Sequence, residues 1–482
     1  MEIGIGRSPP RQTLIVGLKM APENTGFGPS RLPLLGLLAT AFFVRLVLAY
    51  IIFPDSGEIK DIHWYAQWAL ALASGGPGHF YAMTDANYPP AYMYVLWLLG
   101  MVSKLLASGT NADAVHVAMS LVKIPPMLLD IATGALLYLV AKRWPPNKQT
   151  SSRAALSMTA FYVLNPVVLY DSTIWGQTDA AGAFIILVGI LALLSWPPEA
   201  TAAIATVALL IKPQYGVILI PIVSVILFRR HVLSSGVTQA IRNISYWTRP
   251  QGPLRVLTAC MLSSGIFYIL VTPFNLGLRS YIALMASTAR EYNLLSVNAF
   301  NPWALVGAGG QPPLIAAGIG HCAPDDVPLV GSLTGVEIGS TLLGIAFLVA
   351  AIRLLRRSDL QSIVLVSAYL SLCFFIVPTR VHERYVFPAV ALTGLLIVED
   401  RRWIWPAVAL TIGALINLHA VLSLIGSGNI AALPFGPLFR SPAMIVASIT
   451  LQTAVLVFSA RQLWHTESSA HIANPDAEVS RG

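Results

Sequence analysis

The chain has 482 residues, of which 56% are hydrophobic and only 11% charged, and its formal net charge is +8. Soluble domains carry about 25% charged residues, so this composition excludes an ordinary soluble fold. We attribute the positive charge to cytoplasmic loops of a membrane protein and not to nucleic-acid binding. The apolar runs are near twenty residues long and do not alternate as barrel strands do. The sequence therefore predicts an all-α polytopic membrane protein.

Residues 1–31 are rich in Pro, Gly and Ser and lack a signal-peptide pattern, so we expect a flexible cytoplasmic tail. A transmembrane domain of about 12 helices follows over residues 32–460, and residues 461–482 are expected to form a second cytoplasmic tail. With both termini inside, the cytoplasmic segments hold 20 of the 30 Lys and Arg residues. The predicted spans lie near 32–53, 124–141, 154–170, 180–196, 199–211, 214–228, 256–272, 333–352, 361–378, 385–398, 403–424 and 437–460.

This topology leaves two long extracytoplasmic loops, residues 54–123 and 273–328. In the first loop, residues 62–73 have one apolar, aromatic helical face, formed by Trp64, Tyr65, Trp68 and Leu72. Such a helix is expected to lie in the membrane interface. We interpret residues 92–106 as a juxtamembrane or re-entrant helix, because a further span there would place the basic clusters after it outside. The first loop is thus expected to carry interfacial helices.

Two polar features lie in the first loop. Asp61 opens the aromatic helix DIHWYAQWA, where it either caps the helix or acts as a general base at the membrane surface. Tyr88 precedes two prolines in NYPPAYMY, which either give the next helix a rigid start or form a functional motif.

The connection YDSTIWGQTDA, residues 170–180, combines acids with an aromatic ring, and Gly176 supplies its turn. Trp175 offers a face for sugar C–H groups, while Asp171, Gln177 and Asp179 are groups that bind hydroxyls. Either aspartate alternatively caps or ends a span.

Two further segments carry cations. Lys212 precedes a proline, so the helix is expected to break there; its ammonium either snorkels to the headgroups or holds a lipid phosphate. The stretch VPTRVHERYVFP gathers Arg380, His382, Glu383 and Arg384 within five positions. It forms either an ion-pair cluster or a site for an anionic headgroup or polyprenyl phosphate.

One charged residue lies inside the first predicted span. Arg45 is costly at mid-span unless it is paired, and Asp130 in the second predicted span is its expected structural partner.

The motifs DIHWYAQW, NYPPAY, YDSTIWGQTD, IKPQ and VHERY, in this order, resemble those of the multispanning GT-C glycosyltransferases. The likeness is to the dolichyl-phosphate-glucose-dependent glucosyltransferases of N-glycan assembly and to bacterial relatives of the second GPI mannosyltransferase. The residues KPQ in the IKPQ motif favour the bacterial relatives. The resemblance implies a GT-C-like fold with Asp61 as base and residues 88–90 at the donor or acceptor entrance. It implies phosphate contacts from Arg380, His382, Arg384 and Lys212.

We therefore expect a membrane enzyme that transfers mannose or glucose, with inversion, from a polyprenyl-phosphate donor to a hydroxyl of a glycan, lipid or protein acceptor. The site would face outside a bacterial plasma membrane, among membrane lipids, and need no metal or other cofactor. The chain has no GxGxxG segment before a helix, no Walker motif and no HExxH motif. The alternative is a transporter or flippase of a lipid-linked sugar, although the internal repeat expected of such a protein is not found. Sugar or acceptor binding is expected from Tyr88, Asp171, Trp175, Gln177, Asp179 and Glu383.

Overall fold

A computed structural model describes residues 32–110, 112–144, 150–233 and 247–472. The predicted tail over residues 1–31 and the last ten residues lie outside the described residues. The described chain is almost entirely helical. Its one named sheet pairs two short antiparallel strands, β1 (Pro328–Val330) and β2 (Leu333–Thr334).

Sixteen helices of eight or more residues occur in the described part of the chain. They are α1 (Leu32–Val47), α2 (Ile59–Gly75), α3 (Pro90–Thr110), α4 (Ala114–Leu121), α5 (Ile124–Arg143), α6 (Ser152–Val163), α7 (Ala180–Ser195), α8 (Pro198–Ile211), α9 (Pro213–Phe228), α10 (Leu254–Val271), α11 (Leu278–Ala289), α12 (Gly335–Arg356), α13 (Leu360–Ile376), α14 (Phe387–Leu396), α15 (Ile404–Ile425) and α16 (Pro442–Ile472).

Eight helical stretches among the described residues are long and apolar enough to cross a membrane, and four shorter apolar helices, α7, α8, α13 and α14, accompany them. The chain is therefore an all-α, multi-pass membrane protein, as its composition predicts. The eight stretches are Leu32–Ile52, Pro90–Thr110, Ala114–Lys142, Pro213–Leu233, Leu254–Phe274, Gly335–Arg356, Arg401–Ile425 and Pro442–Trp464.

Two sequence expectations need correction. The span expected at 154–170 is not one helix, because Pro166 holds Asn165 in an extended conformation and α6 ends at Val163. The last span begins at Pro442 instead of 437, and its helix continues to Ile472, beyond the start of the predicted tail. On the aromatic face of α2, Trp64 is 43% exposed, whereas Tyr65, Trp68 and Leu72 are buried.

Prolines and caps set several helix boundaries. Pro90, Pro198 and Pro213 each occupy the start of a helix, where a missing N–H has no cost. Lys212 is extended, with φ −152° and ψ 139°, so the predicted break between α8 and α9 is confirmed. A reciprocal capping box between Thr334 and Glu337 begins α12.

The main hydrophobic core surrounds α13 and α14, which are buried along nearly their whole length. A second, aromatic cluster joins α2, α3 and α4. The main core encloses the predicted pair of Arg45 and Asp130, with Arg45 Nη2 3.4 Å from Asp130 Oδ2 and both side chains fully buried. Arg45 also donates to the Val163 carbonyl at 2.8 Å, and Tyr162 donates to Asp130 at 3.1 Å. The pairing predicted from sequence is confirmed.

One buried lysine joins the segments that frame the candidate site. Lys123 Nζ donates to the carbonyls of Ser56, at 2.5 Å, and Ile174, at 3.1 Å. Residues 54–123 thus leave and return to the same end of the helix bundle, next to the connection that follows α6. That geometry brings Asp61 close to residues 170–180.

Candidate functional site

The Asp61 carboxylate lies in the first turn of α2, which begins at Ile59 and has Glu58 at its N-cap. Asp61 is therefore not the capping residue, and that alternative is wrong. Its Oδ2 accepts a hydrogen bond from Gln177 Nε2 at 2.5 Å. Its Oδ1 accepts none from the described residues, and the side chain is partly exposed. One carboxylate oxygen is thus held and the other is free to accept a proton.

A chain of hydroxyl groups continues from Gln177. The Tyr65 hydroxyl donates to Gln177 Oε1 at 3.1 Å and lies 2.8 Å from the Tyr88 hydroxyl. The three aromatic rings of Tyr65, Trp68 and Tyr88 pack against one another with centroids 5.7 to 5.8 Å apart. The first loop and the 170–180 connection are therefore linked by direct polar contacts.

Asp179 is the centre of the cationic part of the site. It accepts hydrogen bonds from Lys212 Nζ at 3.1 Å and from the Tyr215 hydroxyl at 2.7 Å. Arg384 Nε lies 3.4 Å from its other oxygen, and Arg384 Nη1 donates to Glu383 at 2.7 Å. Both cations are nearly buried and are balanced by carboxylates, as desolvated charges require.

Aromatic faces connect the cations to the rest of the site. The Lys212 ammonium lies 5.1 Å from the centre of the Tyr88 ring, and the Arg384 guanidinium lies 5.7 Å from that of Trp175. Both distances allow cation–π attraction. Through these contacts the structure joins eight of the residues selected from the sequence, namely Asp61, Tyr88, Trp175, Gln177, Asp179, Lys212, Glu383 and Arg384.

Five of the six residues expected to bind sugar or acceptor have little exposed surface. Each is at most 2% exposed: Asp171, Trp175, Gln177, Asp179 and Glu383. Tyr88 alone among the six is partly exposed. Its hydroxyl lies 2.8 Å from that of Tyr65, and its ring packs against those of Tyr65 and Trp68.

The cluster contains more acids than cations. Burial, and then the charge of Asp179, holds the pKa of Asp171 well above its usual range. Burial is also the largest cause that raises the pKa of Glu383, and burial followed by the Asp61 charge raises the pKa of Glu58. These shifts follow from the burial of several acids in one cluster.

His382 lies beside the cluster and packs on the second predicted loop. Its ring is 5.0 Å from that of Tyr292, and its backbone bridges to residues 297 and 298. Burial, together with the charges of Arg384 and Lys212, holds the pKa of His382 well below 6.5. The imidazole is therefore neutral at pH 7 and can donate one hydrogen bond.

Arg380 is not part of the cluster. Its Nε and Nη2 form a bidentate pair with Asp325 at 2.7 and 3.0 Å, and its Nη1 donates to the Ala289 carbonyl at 2.7 Å. Asp325 also accepts from Thr379 at 2.6 Å. Arg380 thus joins the second loop to the start of the RVHERY segment.

Sequence reasoning did not assign site roles to four residues that the structure places here. Tyr65 was noted only for its apolar face, and Tyr215 follows Lys212 by three positions. Glu58 precedes Asp61 by three positions, a spacing that puts both acids on one helical turn and was a usable signal. Tyr292 comes from the second loop, and no local pattern connects it to His382.

Within the described residues, no group of three or more His, Cys, Asp or Glu side chains is arranged to hold a metal ion. A scan against models of protein families gives no match, and a search of curated proteins gives none.

Proposed function

We propose that the protein is a GT-C-like membrane glycosyltransferase that transfers a hexose, mannose or glucose, from a polyprenyl-phosphate donor to an acceptor hydroxyl. The observation that carries this proposal is one cluster that contains a carboxylate and two buried cations. The carboxylate is Asp61, with only one oxygen hydrogen-bonded, and the cations are Lys212 and Arg384. These residues come from three distant parts of the chain. Inverting transfer needs a base on one side of the anomeric carbon and positive charge on the other.

In the proposed step, Asp61 Oδ1 takes the proton of the acceptor hydroxyl while that oxygen attacks the anomeric carbon. The bond between the anomeric carbon and the phosphate oxygen breaks, and its electron pair stays on the phosphate. A single displacement inverts the configuration. The Gln177 amide donates to Oδ2 of the Asp61 carboxylate and leaves Oδ1 to face the acceptor.

The departing lipid phosphate would be held by Arg384, Lys212 and His382. Arg384 Nη2 donates to none of the described residues, and Lys212 has one hydrogen-bond acceptor for its three N–H groups. Burial opposes ionisation of Arg384, but the charges of Glu383 and Asp61 hold its pKa well above the ordinary value. The guanidinium therefore keeps its charge as phosphate charge develops. Arg380, whose fork is occupied by Asp325, is left out of this step.

The resemblance and the concentration of Lys and Arg in the predicted cytoplasmic segments together favour the extracytoplasmic face for the site. The first loop begins and ends at the same end of the bundle, as the Lys123 contact to Ser56 requires. We propose that the site opens there to the outside of a plasma membrane.

The test uses purified protein in lipid nanodiscs with radiolabelled polyprenyl-phosphate mannose or glucose and a panel of glycan, lipid and protein acceptors. The proposal expects a labelled acceptor product whose new linkage is inverted relative to the donor. In proteoliposomes, movement of intact labelled donor across the bilayer with no product would replace the transferase proposal by the transporter alternative. A retained configuration would exclude single displacement.

A further inference from the structure

Both polar ends of Gln177 are already occupied. The side chain is fully buried, its Nε2 donates to Asp61 Oδ2 at 2.5 Å, and its Oε1 accepts from Tyr65 at 3.1 Å. A sugar or acceptor hydroxyl would have to displace one of these bonds and enter a closed space. The contacts therefore point to a role toward Asp61 instead of toward substrate.

The partners also fix which way the amide faces. An ionised carboxylate only accepts hydrogen bonds, so it must face the NH₂ group of Gln177. Tyr65 uses its proton on Gln177, which leaves its oxygen to accept from the Tyr88 hydroxyl at 2.8 Å. In this series of hydrogen bonds every donor points toward Asp61, and the bonds polarise one another in the same direction. Lys212 places positive charge over the far end, at the Tyr88 ring.

The backbone of Gln177 is held firmly by the core. Its N–H donates to the Asp171 carbonyl at 3.0 Å, after a turn in which Gly176 adopts φ +83°. Lys123 ties the same turn to residue 56 through Ile174. Asp61 lies in the first turn of α2, whose buried face belongs to the second, aromatic cluster. The Gln177 side chain thus joins the carboxylate on α2 to the 170–180 connection in the main core.

We propose that Gln177 is a positioning residue that holds Asp61 by Oδ2 and leaves Oδ1 as the oxygen that accepts the proton. Tyr65 acts one step further away, because it holds the other end of the Gln177 amide. This inference rests on the proposed function for its kinetic consequence, but the hydrogen-bonded arrangement is testable without turnover.

The first experiment is the pH dependence of kcat/KM for the wild type and for Gln177→Glu. The substitution puts a second carboxylate beside Asp61, and two such groups share one proton. The acidic limb of the profile is expected to move up by at least about one pH unit. The plateau kcat is expected to fall by about 10²-fold with donor KM little changed, because the base loses its fixed geometry.

Two variants accompany it. Gln67→Glu makes the same charge change at an exposed position of α2, the helix that carries Asp61, and should leave the acidic limb in place. Tyr65→Phe removes only the hydroxyl that holds Gln177, so it should lower kcat by several-fold with donor KM unchanged. If Gln177→Glu does not fold, Tyr65→Phe decides: a rise in KM with unchanged kcat overturns the inference.

An infrared titration of the Asp61 carboxyl, taken as wild type minus Asp61→Asn, separates this inference from the proposed function. A band that titrates at higher pH in Gln177→Glu supports the positioning role even if no donor is ever turned over. A band that does not move overturns it, even if the wild type proves to be an active transferase. Absence of transfer by the wild type would contradict only the proposed function.

Discussion

The protein buries charge in two regions, and the difference between them distinguishes structure from chemistry. Arg45 and Asp130 form a closed pair, one cation with one carboxylate and no solvent exposure. Its other bonds go to the Ala41 and Val163 carbonyls and the Tyr162 hydroxyl, and Arg45 Nε is left without a hydrogen bond. The cluster around Arg384 has more acids than cations, and neither carboxyl oxygen of its buried Asp171 has a hydrogen bond. It also has a partly open side at Asp61. A closed pair stabilises a fold, whereas an unbalanced, half-open cluster is the kind of site where chemistry is found.

The largest expected effect comes from breaking the closed pair. Arg45→Met leaves the Asp130 carboxylate buried without its cation and should destabilise the protein by about 3–5 kcal/mol. Thermal unfolding in detergent measures this change. The double variant Arg45→Met with Asp130→Leu should recover most of it, and activity per folded molecule should be unchanged. No loss of stability in Arg45→Met would show that the pair is not structural.

Replacing the guanidinium group of Arg384 should slow sugar transfer. Arg384→Lys retains a positive charge but loses the arrangement that spans Asp179 and Glu383, so we expect transfer to fall by about 10²–10³-fold. Initial rates at saturating donor measure it. Near-normal rates would remove Arg384 from phosphate stabilisation.

Arg380, four positions earlier, sharpens the comparison. Arg380→Ala leaves the buried Asp325 carboxylate with only its Thr379 bond and should cost about 1–3 kcal/mol of stability. Hydrogen exchange should increase in residues 289–298, while donor KM stays within about twofold of wild type. A large rise in donor KM would contradict the structural role and restore the expectation that Arg380 binds phosphate.

The smallest effect concerns His382, which the fold holds neutral. Because its pKa is lowered in the folded state, its neutral form contributes stability that is complete above the ordinary value of 6.5 and is lost as pH falls below it. Relative to His382→Gln, the wild type should lose about 1.4 kcal/mol near pH 5.5. The comparison with the variant cancels the opposite trend from Glu383, whose pKa is raised. Parallel stability curves from pH 7.5 to 5.5 would show that His382 is not buried as a neutral group.

Local chemistry made much of the fold predictable. Apolar length identified a multi-pass helical membrane protein, Pro213 identified the break at Lys212, and the cost of a mid-span charge identified the partner of Arg45. The break after Val163 was missed because apolar residues stand on both sides of Asn165 and Pro166. The placement of α3, which is long enough to cross a membrane, depends on the path of the whole first loop and not on its own residues.

The candidate site was predictable as a set of residues but not as a set of contacts. Arg380 and Arg384 lie in one short motif, yet tertiary partners separate them: Asp325 takes one, and Asp179 with Glu383 takes the other. Gln177 was selected as a polar group for a sugar, but only the folded arrangement shows that both ends of its amide are occupied. Residue type gives the chemistry that is possible, and long-range contacts decide which groups remain free to perform it.

The most direct test of the central claim is transfer by Asp61→Asn. The amide keeps the size of the side chain but cannot take a proton, so single-turnover transfer should fall by about 10²–10⁴-fold. Donor binding and thermal stability should stay near wild type, and Asp85→Asn, an exposed change in the same loop, should transfer normally. If Asp61→Asn transfers at the wild-type rate, Asp61 is not the base, and the account of this cluster as a glycosyltransferase site is contradicted.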